Sequence, residues 1–455
     1  MEHHGVGPLP RALQWQYGAP AFALALFGVP VFVHLPKFYA DVAGAPLAAL
    51  GTAILLTRVF DGVTDPLVGA LSDRTRTRWG RRRPFLAAGA VPLGLSVVAL
   101  FGPPSGDAAV PWFLVCMTLA FLAWTVVQIP YQALGAELAG GHHGRTSLFA
   151  VRDGLWMLGT LVAAAAPALV RAARDAAGLP PDEAAAFRTL GLIYAALLTV
   201  LPLWCAWRVP EPAVPATVPP RLTLRGMAEV WRGNRPYRLL LLAYAVASLG
   251  GALPGTLLFF YVEQVLQAPG ATDALLGLYF VAGFAGLPLW TWTARRLGKL
   301  RAFLAATVLS VSVFLGALGL GPGDVTAFAA ITVLSGLGFG ATLLLPASML
   351  ADTLDYEALR SGARREGLLL GVWGVVMKAS AAVGAGVALP LLGWAGYTGG
   401  AATQSPEAVQ AIRLLYCAVP CACYAAALLI TARYPIDARE HARIVQALSA
   451  RTDAP

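Results

Sequence analysis

The sequence contains few charged residues. Asp, Glu, Lys and Arg make up 13% of its 455 residues, whereas a soluble domain contains about 25%. Hydrophobic residues account for 58% of the chain. This composition excludes an ordinary soluble enzyme. It also excludes a disordered chain, because disorder requires low hydrophobicity. The remaining class is a polytopic membrane protein, so we expect an all-α chain that crosses a bilayer several times.

Residues that hold metals or cofactors are also scarce. The five cysteines are odd in number and lie in apolar stretches without the spacing of a disulfide framework. No His or acidic residue neighbours the cysteine group at 417–423, so we expect neither a zinc site nor another cofactor. A Walker-type Gly-Lys-Ser/Thr loop is missing from the sequence, which argues against ATP hydrolysis by this chain. We therefore expect that the protein is not an enzyme.

Long apolar stretches of about 20 residues each can span a bilayer as helices. Two sets of six are separated by a Pro-rich stretch at 209–235. We expect a first six-helix bundle over 1–208, a cytoplasmic linker over 209–235, a second bundle over 236–432 and a cytoplasmic tail over 433–455. The predicted spans are 17–36, 46–71, 84–102, 109–138, 148–170, 188–208, 237–265, 273–294, 302–320, 325–350, 367–392 and 409–432.

The positions of basic residues predict the orientation of these spans. If the N-terminus is cytoplasmic, 25 of the 33 Lys and Arg residues lie in cytoplasmic segments and only five lie in external loops. Cytoplasmic loops of membrane proteins carry such an excess of Lys and Arg. We therefore expect both termini to be cytoplasmic, in a bacterial-type inner membrane. The same distribution accounts for the net charge of +9 without a nucleic-acid partner.

An internal repeat relates the two sets of six. The loop after the second span reads WGRRRPFLA at 79–87, and the loop after the eighth reads LGKLRAFLA at 297–305. Parallel six-helix repeats are typical of the major facilitator architecture. At the end of the second span, Asp73 is placed to pair with Arg74 or Arg81 and act as a charge lock between conformations. The alternative is an ordinary solvated loop.

The most unusual local feature is a pair of carboxylates inside the second span. Asp61 and Asp65 are four residues apart and share one helix face, with Thr64 beside them. Ionised groups within the bilayer are costly, and two carboxylates on one face repel each other unless a cation lies between them. We expect a site for Na⁺, Li⁺ or H⁺. The alternative is a structural ion pair between Arg58 and Asp61, and both can hold if Asp65 is the movable carboxylate.

Other polar and aromatic side chains within the spans are candidates for solute binding. Amides suit a hydroxyl-rich solute, although they also form hydrogen bonds between helices. A lysine deep in a span faces a polar cavity or a partner, the alternative being an extended side chain that reaches the interface. Tryptophan can stack on a sugar ring or simply pack. The candidates are Gln128, Tyr131, Gln132, Arg152, Trp156, Trp373 and Lys378.

The chain resembles the glycoside–pentoside–hexuronide:cation symporters, the family of the melibiose permease. The resemblance is most specific at Arg58–Pro84, with its Asp-x-x-x-Asp-Pro core, and at Asp352–Lys378. It implies a cation-coupled sugar transporter of twelve helices that works by alternating access. It also implies roles for three sets of residues: a cation site at Asp61, Thr64, Asp65 and Thr125; a pocket near Arg152 and Lys378; and a cytoplasmic ionic lock at Asp352, Asp355 and Arg364.

The sequence departs from that family in the part that grips a galactoside. Ala25 and Gln128 stand where the melibiose permease has acidic residues, and Gln132 stands where it has a tryptophan. The same pattern resembles the sodium-dependent lysophospholipid symporters of animals, so an amphiphile is the alternative solute. We expect a small solute and a monovalent cation as partners, a bilayer around the protein, and function as a monomer. A membrane-embedded enzyme and a non-transporting sensor are weaker alternatives.

Overall fold

The computed structural model describes residues 10–138, 142–211, 229, 231–362, 366–401 and 403–452. These residues form helices and, within this part of the chain, no β-strand. Twelve of the helices are long and apolar enough to cross a membrane, so the protein is an integral membrane protein. The helices are α1 Arg11–Asp41, α2 Leu47–Arg74, α3 Arg83–Leu100, α4 Ala109–Leu138, α5 His142–Ala176, α6 Glu183–Arg208, α7 Arg235–Val265, α8 Thr272–Leu297, α9 Lys299–Leu318, α10 Val325–Ser361, α11 Glu366–Trp394, α12 Pro406–Thr431 and α13 Ala438–Thr452.

The chain divides into two compact units. The first unit comprises residues 1–216 together with 389–404. Its buried interior is rich in aromatic contacts, such as the parallel stack of Phe38 on Phe187 with ring centroids 4.1 Å apart. The hydroxyl of Tyr39 donates to the Leu100 carbonyl oxygen at 2.7 Å, which satisfies a polar group in an apolar interior.

The second unit comprises residues 217–388 and 405–455. Tyr261 stacks on Tyr416 with ring centroids 4.3 Å apart, and the Trp290 indole donates to the Leu337 carbonyl oxygen at 2.7 Å. The tail helix α13 belongs to this unit and packs against α10. Ile444 of α13 is buried in the same apolar cluster as Trp290.

The helix packing repeats between the units. In the first unit α4 packs on α2 and α3, and α3 packs on α6; in the second, α10 packs on α8 and α9, and α9 packs on α12. Glycines allow the closest of these approaches. A Cβ at Gly336 of α10 would collide with the Tyr279 carbonyl oxygen and with Ala282 of α8, so this crossing requires glycine.

The predicted spans correspond to observed helices, but several helices extend further. α10 was predicted over 325–350 and continues to Ser361. Hydropathy marks only the part of a helix that lies in apolar surroundings. The added turns carry Asp352 and Glu357, which are buried against polar partners within the second unit. The predicted linker lies mostly outside the described residues.

Candidate cation site and charge clusters

Three oxygen-bearing side chains converge where α2 packs on α4. Asp61 and Asp65 occupy successive turns of α2, and Thr125 lies opposite them on α4. The Thr125 Oγ1 atom is 2.9 Å from Asp61 Oδ1 and also 2.9 Å from Asp65 Oδ1. Asp61 is only 2% exposed and Thr125 is fully buried. The α2–α4 contact thus assembles a compact oxygen cluster from residues that are about 60 positions apart in the sequence.

A fixed guanidinium borders this cluster. Arg58 Nη1 lies 3.1 Å from Asp61 Oδ2. The Arg58 Cζ atom lies 4.4 Å from the ring centroid of Phe32 and 3.9 Å from that of Phe121, and such contacts favour a desolvated guanidinium. Arg58 therefore neutralises one carboxylate and leaves the Arg58–Asp61–Asp65 group with one net negative charge.

Thr64 has a different hydrogen-bond partner. Its hydroxyl donates to the Asp61 carbonyl oxygen at 3.3 Å, so its contact with the site runs through the backbone and leaves its oxygen able to accept. One turn along, Pro66 lacks an N–H group, and the Gly62 carbonyl therefore lacks its helical partner. These backbone features add acceptor oxygens close to the two carboxylates.

The predicted solute residues of α4 differ in their surroundings. Gln128 is 7% exposed, and its Oε1 atom has no hydrogen-bond partner among the described residues. Gln132 is exposed. The Tyr131 ring is buried in a stack on Tyr17, with each hydroxyl donating to the other residue's carbonyl oxygen, at 2.8 and 3.3 Å. Tyr131 therefore joins α4 to α1.

The remaining solute candidates lie apart in the chain. Arg152 contacts Asp153 at 2.7 Å and lies over the Phe149 ring, and Trp156 is half-buried one turn further along α5. Lys378 is half-buried in α11. Trp373 is buried and stacks on Tyr244 with ring centroids 4.7 Å apart, an arrangement typical of packing.

Asp73 belongs to what we call the first charge cluster, formed by Asp73, Arg81, Arg82, Glu137 and Glu211. Arg82 Nη2 contacts both Asp73 Oδ1 at 2.5 Å and Glu137 Oε1 at 2.9 Å, and Arg82 Nη1 donates to Ser72 Oγ at 2.6 Å. Arg81 also pairs with Glu137, at 2.8 Å. Burial lowers the pKa of Arg82, but the hydrogen bonds to Glu137 and Asp73 outweigh this effect and raise it. The partner of Asp73 is Arg82, which the sequence analysis did not single out.

Glu211 completes this cluster from the segment after α6. Its carboxylate accepts from the backbone N–H groups of Arg81 at 2.7 Å, of Arg82 at 2.9 Å and of Arg83 at 3.3 Å. Unpaired N–H groups at the start of a helix bind anions well, and here they precede and begin α3. Gly80 permits the approach, with φ of +107° and its missing Cβ replaced by the Glu211 side chain.

The second charge cluster, formed by Lys299, Asp352, Asp355 and His441, lies at the equivalent place in the second unit. Lys299 Nζ contacts Asp352 Oδ1 at 2.6 Å. His441 Nε2 of α13 lies 3.2 Å from Asp355 Oδ2 and 3.4 Å from Asp352 Oδ1. Arg364, predicted to pair with these aspartates, lies outside the described residues. The sequence analysis also missed Glu137, Glu211, Lys299 and His441, whose partners are distant in sequence.

Comparisons with known proteins place these features in a known context. The model of the MFS/sugar transport protein family matches residues 16–438. The putative glycoside/cation symporter YagG of Escherichia coli (strain K12) is 28% identical, over 96% of this chain and 92% of that protein. The sodium-dependent lysophosphatidylcholine symporter 1-A of Danio rerio is 25% identical, over 92% of this chain and 84% of that protein. The structure of the nucleoside transporter NupG shares the fold, with a TM-score of 0.67 at 12% identity, over 92% of this chain and 99% of that one.

Proposed function

Because the chain belongs to the MFS/sugar transport protein family, we propose that it carries a sugar or glycoside across the membrane together with a monovalent cation. The name of a 28% identical relative includes both a glycoside and a cation. The two six-helix repeats suit alternating access, in which the halves of such a transporter rock around a central site. The expected fold and family resemblance are both confirmed, and they support this function.

One observation within α2 and α4 carries the cation half of the proposal. The Thr125 hydroxyl lies at hydrogen-bond distance from both Asp61 and Asp65, yet a hydroxyl has only one hydrogen to donate. A second contact of 2.9 Å between oxygen atoms is favourable if one carboxylate is protonated or a metal ion lies beside them. We assign the coupling cation to Asp61, Asp65 and Thr125, with Thr64 contributing an acceptor oxygen.

Charge balance limits the cation to one positive charge. Arg58 offsets Asp61 at 3.1 Å, so one negative charge is left, centred on Asp65. An uncompensated charge within a bilayer costs about 3 kcal/mol on insertion scales, and a single Na⁺, Li⁺ or H⁺ removes that cost. Na⁺ and Li⁺ are hard ions, like Mg²⁺ and Ca²⁺, which prefer oxygen ligands. Arg58 thus sets the charge of the site.

We assign solute contacts to the amides of α4 and to the basic residues of α5 and α11. The unbonded Oε1 atom of buried Gln128 is suited to accept from a solute hydroxyl, since buried polar atoms are normally paired. Gln132, Arg152, Trp156 and Lys378 are further candidates. Tyr131 and Trp373, whose rings are already stacked, would support the pocket rather than grip the solute.

An amphiphile is the second candidate solute. The relative from Danio rerio is named as a sodium-dependent lysophosphatidylcholine symporter. Gln128 and Gln132 carry no charge, and a site with few acidic groups accommodates a largely apolar ligand better than one lined by carboxylates. The cation site would be unchanged in this case.

The membrane orientation follows from the same model of function. We propose that the protein lies in a bacterial inner membrane with both termini cytoplasmic, because basic residues concentrate in the corresponding loops. The two charge clusters would then face the cytoplasm. Asp73, Arg74, Arg81, Asp352, Asp355 and Arg364 are our candidates for ion pairs that change during the transport cycle. A monomer contains both repeats and would suffice for transport.

The test combines cation binding with uptake. The melting temperature of purified protein is measured in choline, Na⁺ and Li⁺ at matched ionic strength and over a pH series. Uptake of labelled glycosides, and separately of lysophosphatidylcholine, is measured in vesicles with an imposed cation gradient. A ligand that binds only the folded state raises stability. We expect a selective shift with one cation, and loss of both the shift and concentrative uptake in Asp65→Asn.

Asp107→Asn is the matched control, because Asp107 is an exposed aspartate in the loop before α4. It should behave as wild type. Cation-driven accumulation retained by both Asp61→Asn and Asp65→Asn would contradict the assigned cation site. Uptake of lysophosphatidylcholine but of no glycoside would replace the sugar by an amphiphile.

A further inference from the structure

The loop between α2 and α3 has two halves that face in different directions. The arginines of its second half, Arg81–Arg83, are bound to the first unit through the contacts with Glu137 and Glu211. The arginines of its first half, Arg74, Arg76 and Arg78, are exposed. In the described part of the chain none of these three forms an ion pair. One short loop therefore contains both structural arginines and three guanidinium groups that are open to a partner.

The backbone of the first half is ordered by local hydrogen bonds. Thr77 and Gly80 exchange backbone hydrogen bonds at 3.1 and 3.3 Å, and Thr77 Oγ1 donates to the Gly80 carbonyl oxygen at 2.7 Å. This closes a turn with Arg78 and Trp79 at its two central positions. Residues at alternate positions of an extended segment lie on one side of it, which groups the three arginines.

Two exposed tryptophans accompany these arginines. Trp79 is 63% exposed at the tip of the turn, and Trp207, at the end of α6, is 71% exposed. The Arg208 guanidinium lies over the Trp207 ring at 4.5 Å. Arg83 links the two segments, because its Nη2 atom donates to the Trp207 carbonyl oxygen at 3.0 Å. Aromatic rings with a polar edge are enriched at membrane–water interfaces.

The acidic groups near this surface are already engaged. Asp73 pairs with Arg82, Glu137 pairs with Arg81 and Arg82, and Glu211 binds the backbone of the loop. None of the three pairs with the exposed arginines. The surface is therefore a cationic patch that no carboxylate of its own loop neutralises, and its chemistry calls for an anionic partner.

The position of the patch selects the partner. It lies where the membrane-spanning helices α2 and α6 end and α3 begins, and both exposed indoles are suited to the headgroup region. Arginine binds phosphate oxygens in a bidentate manner, and basic residues next to a membrane helix attract anionic lipids. We propose that this patch binds the phosphate of an anionic phospholipid headgroup. The patch consists of Arg74, Arg76, Arg78, Trp79, Trp207 and Arg208.

The test measures lipid binding directly. Detergent-purified protein is titrated with phosphatidylglycerol and, in parallel, with phosphatidylcholine, and bound lipid is counted by native mass spectrometry. One basic residue near the surface contributes about fivefold to affinity. The variant R74Q/R76Q/R78Q should therefore lose about a hundredfold in affinity for phosphatidylglycerol, with unchanged binding of phosphatidylcholine. The variant R74K/R76K/R78K keeps the charge and loses the planar fork, so an intermediate loss is expected.

The matched control is R295Q/R296Q/R301Q, which removes the same charge from exposed positions in the equivalent part of the second unit. Its loss should be at least tenfold smaller. An equal loss in the two triple variants would mean general charge attraction and would overturn the site. Equally tight binding of soluble tripolyphosphate in place of lipid would also overturn it. Since all substituted side chains are exposed, the melting temperature in neutral detergent should stay within a few degrees of wild type, which verifies that the variants fold.

Discussion

The first and second charge clusters occupy equivalent places in the two repeats but are built from different groups. In the first, Arg82 bonds three side chains and is almost fully buried. In the second, Lys299 bonds one carboxylate and its side chain is 36% exposed. An arginine supplies five donors in a planar fork, whereas a lysine is a flexible point charge. The repeat has thus kept the place of the ionic link and not its strength.

Each cluster is completed by the segment that leaves the last helix of its unit. Glu211 follows α6 and binds the backbone N–H groups at the start of α3. His441 follows α12 and contacts the two aspartates of α10. The first device uses a carboxylate in a backbone site, and the second uses a side chain on a docked helix. We therefore expect the first cluster to be the stiffer of the two.

The largest expected difference concerns the central basic residue. Arg82→Gln leaves Glu137 and Asp73 short of a partner in a mostly buried site, and breaking such a pair costs about 3 kcal/mol or more. Lys299→Gln should cost about 1 kcal/mol, since Lys299 is partly exposed and Asp352 keeps its contact with His441. The comparison uses apparent melting temperatures in one detergent. Equal losses in the two variants would show that the clusters are equivalent in strength.

A smaller effect is expected for Glu211→Gln. The amide keeps the shape but directs an NH₂ group at backbone donors, and hydrogen bonds to a charged group contribute about 1.5–3 kcal/mol. Backbone amides of Arg81–Arg83 should exchange hydrogen faster in this variant. The control is Glu407→Gln, an exposed glutamate in the first turn of α12. Unchanged exchange at Arg81–Arg83 would remove the backbone site from the account.

His441→Ala should have a still smaller effect, confined to α13. It removes one contact each from Asp352 and Asp355, at about 1 kcal/mol in total for a half-exposed group. The apolar contacts of Ile444 keep the helix docked. Faster hydrogen exchange is expected within α13 and not in α9. Arg443→Ala is the control, because this exposed side chain contacts only Glu440. A loss of equal size in both variants would assign the effect to helix propensity.

Much of the fold could be predicted from the sequence because hydropathy dominates it. Twelve apolar stretches correspond to twelve helices, and the motifs around Arg58–Pro84 identified the family. The spacing of Asp61 and Asp65 indicated one helix face, and the close approach of Thr125 was implied by the family resemblance. Helix ends were less predictable: α10 runs 11 residues beyond its predicted end at 350, because tertiary ion pairs hold its polar turns.

The partners within the charge clusters could not be predicted, because they depend on long-range packing. Glu137 meets Arg82 across 55 positions, and Glu211 meets the same loop across about 130. A weak signal was available, since Glu137 is the acidic residue closest to the predicted end of α4. Likewise, sequence alone could not distinguish a ligand-binding aromatic from a packed one. Tyr131 and Trp373 resembled solute contacts, yet both lie in aromatic stacks.

The smallest expected effect lies at the start of α13, where Asp437 caps the helix that completes the second cluster. The Asp437 Oδ1 atom accepts from the backbone N–H groups of Glu440 at 2.8 Å and Arg439 at 2.9 Å. These hydrogen bonds lower the pKa of Asp437 from its ordinary value of 3.8. A lowered pKa means that the cap contributes fully above this ordinary value and is lost as the pH falls through the lower, folded-state value. Hydrogen exchange at residues 439–441, normalised to intrinsic rates, should therefore accelerate only in that acidic range. Asp437→Asn retains an acceptor oxygen without a titrating group, so its exchange should show no such dependence. The same acceleration in this variant would assign the change to another group. Exchange at Arg81–Arg83 should stay slow where the cap is lost, if the first cluster is the stiffer one.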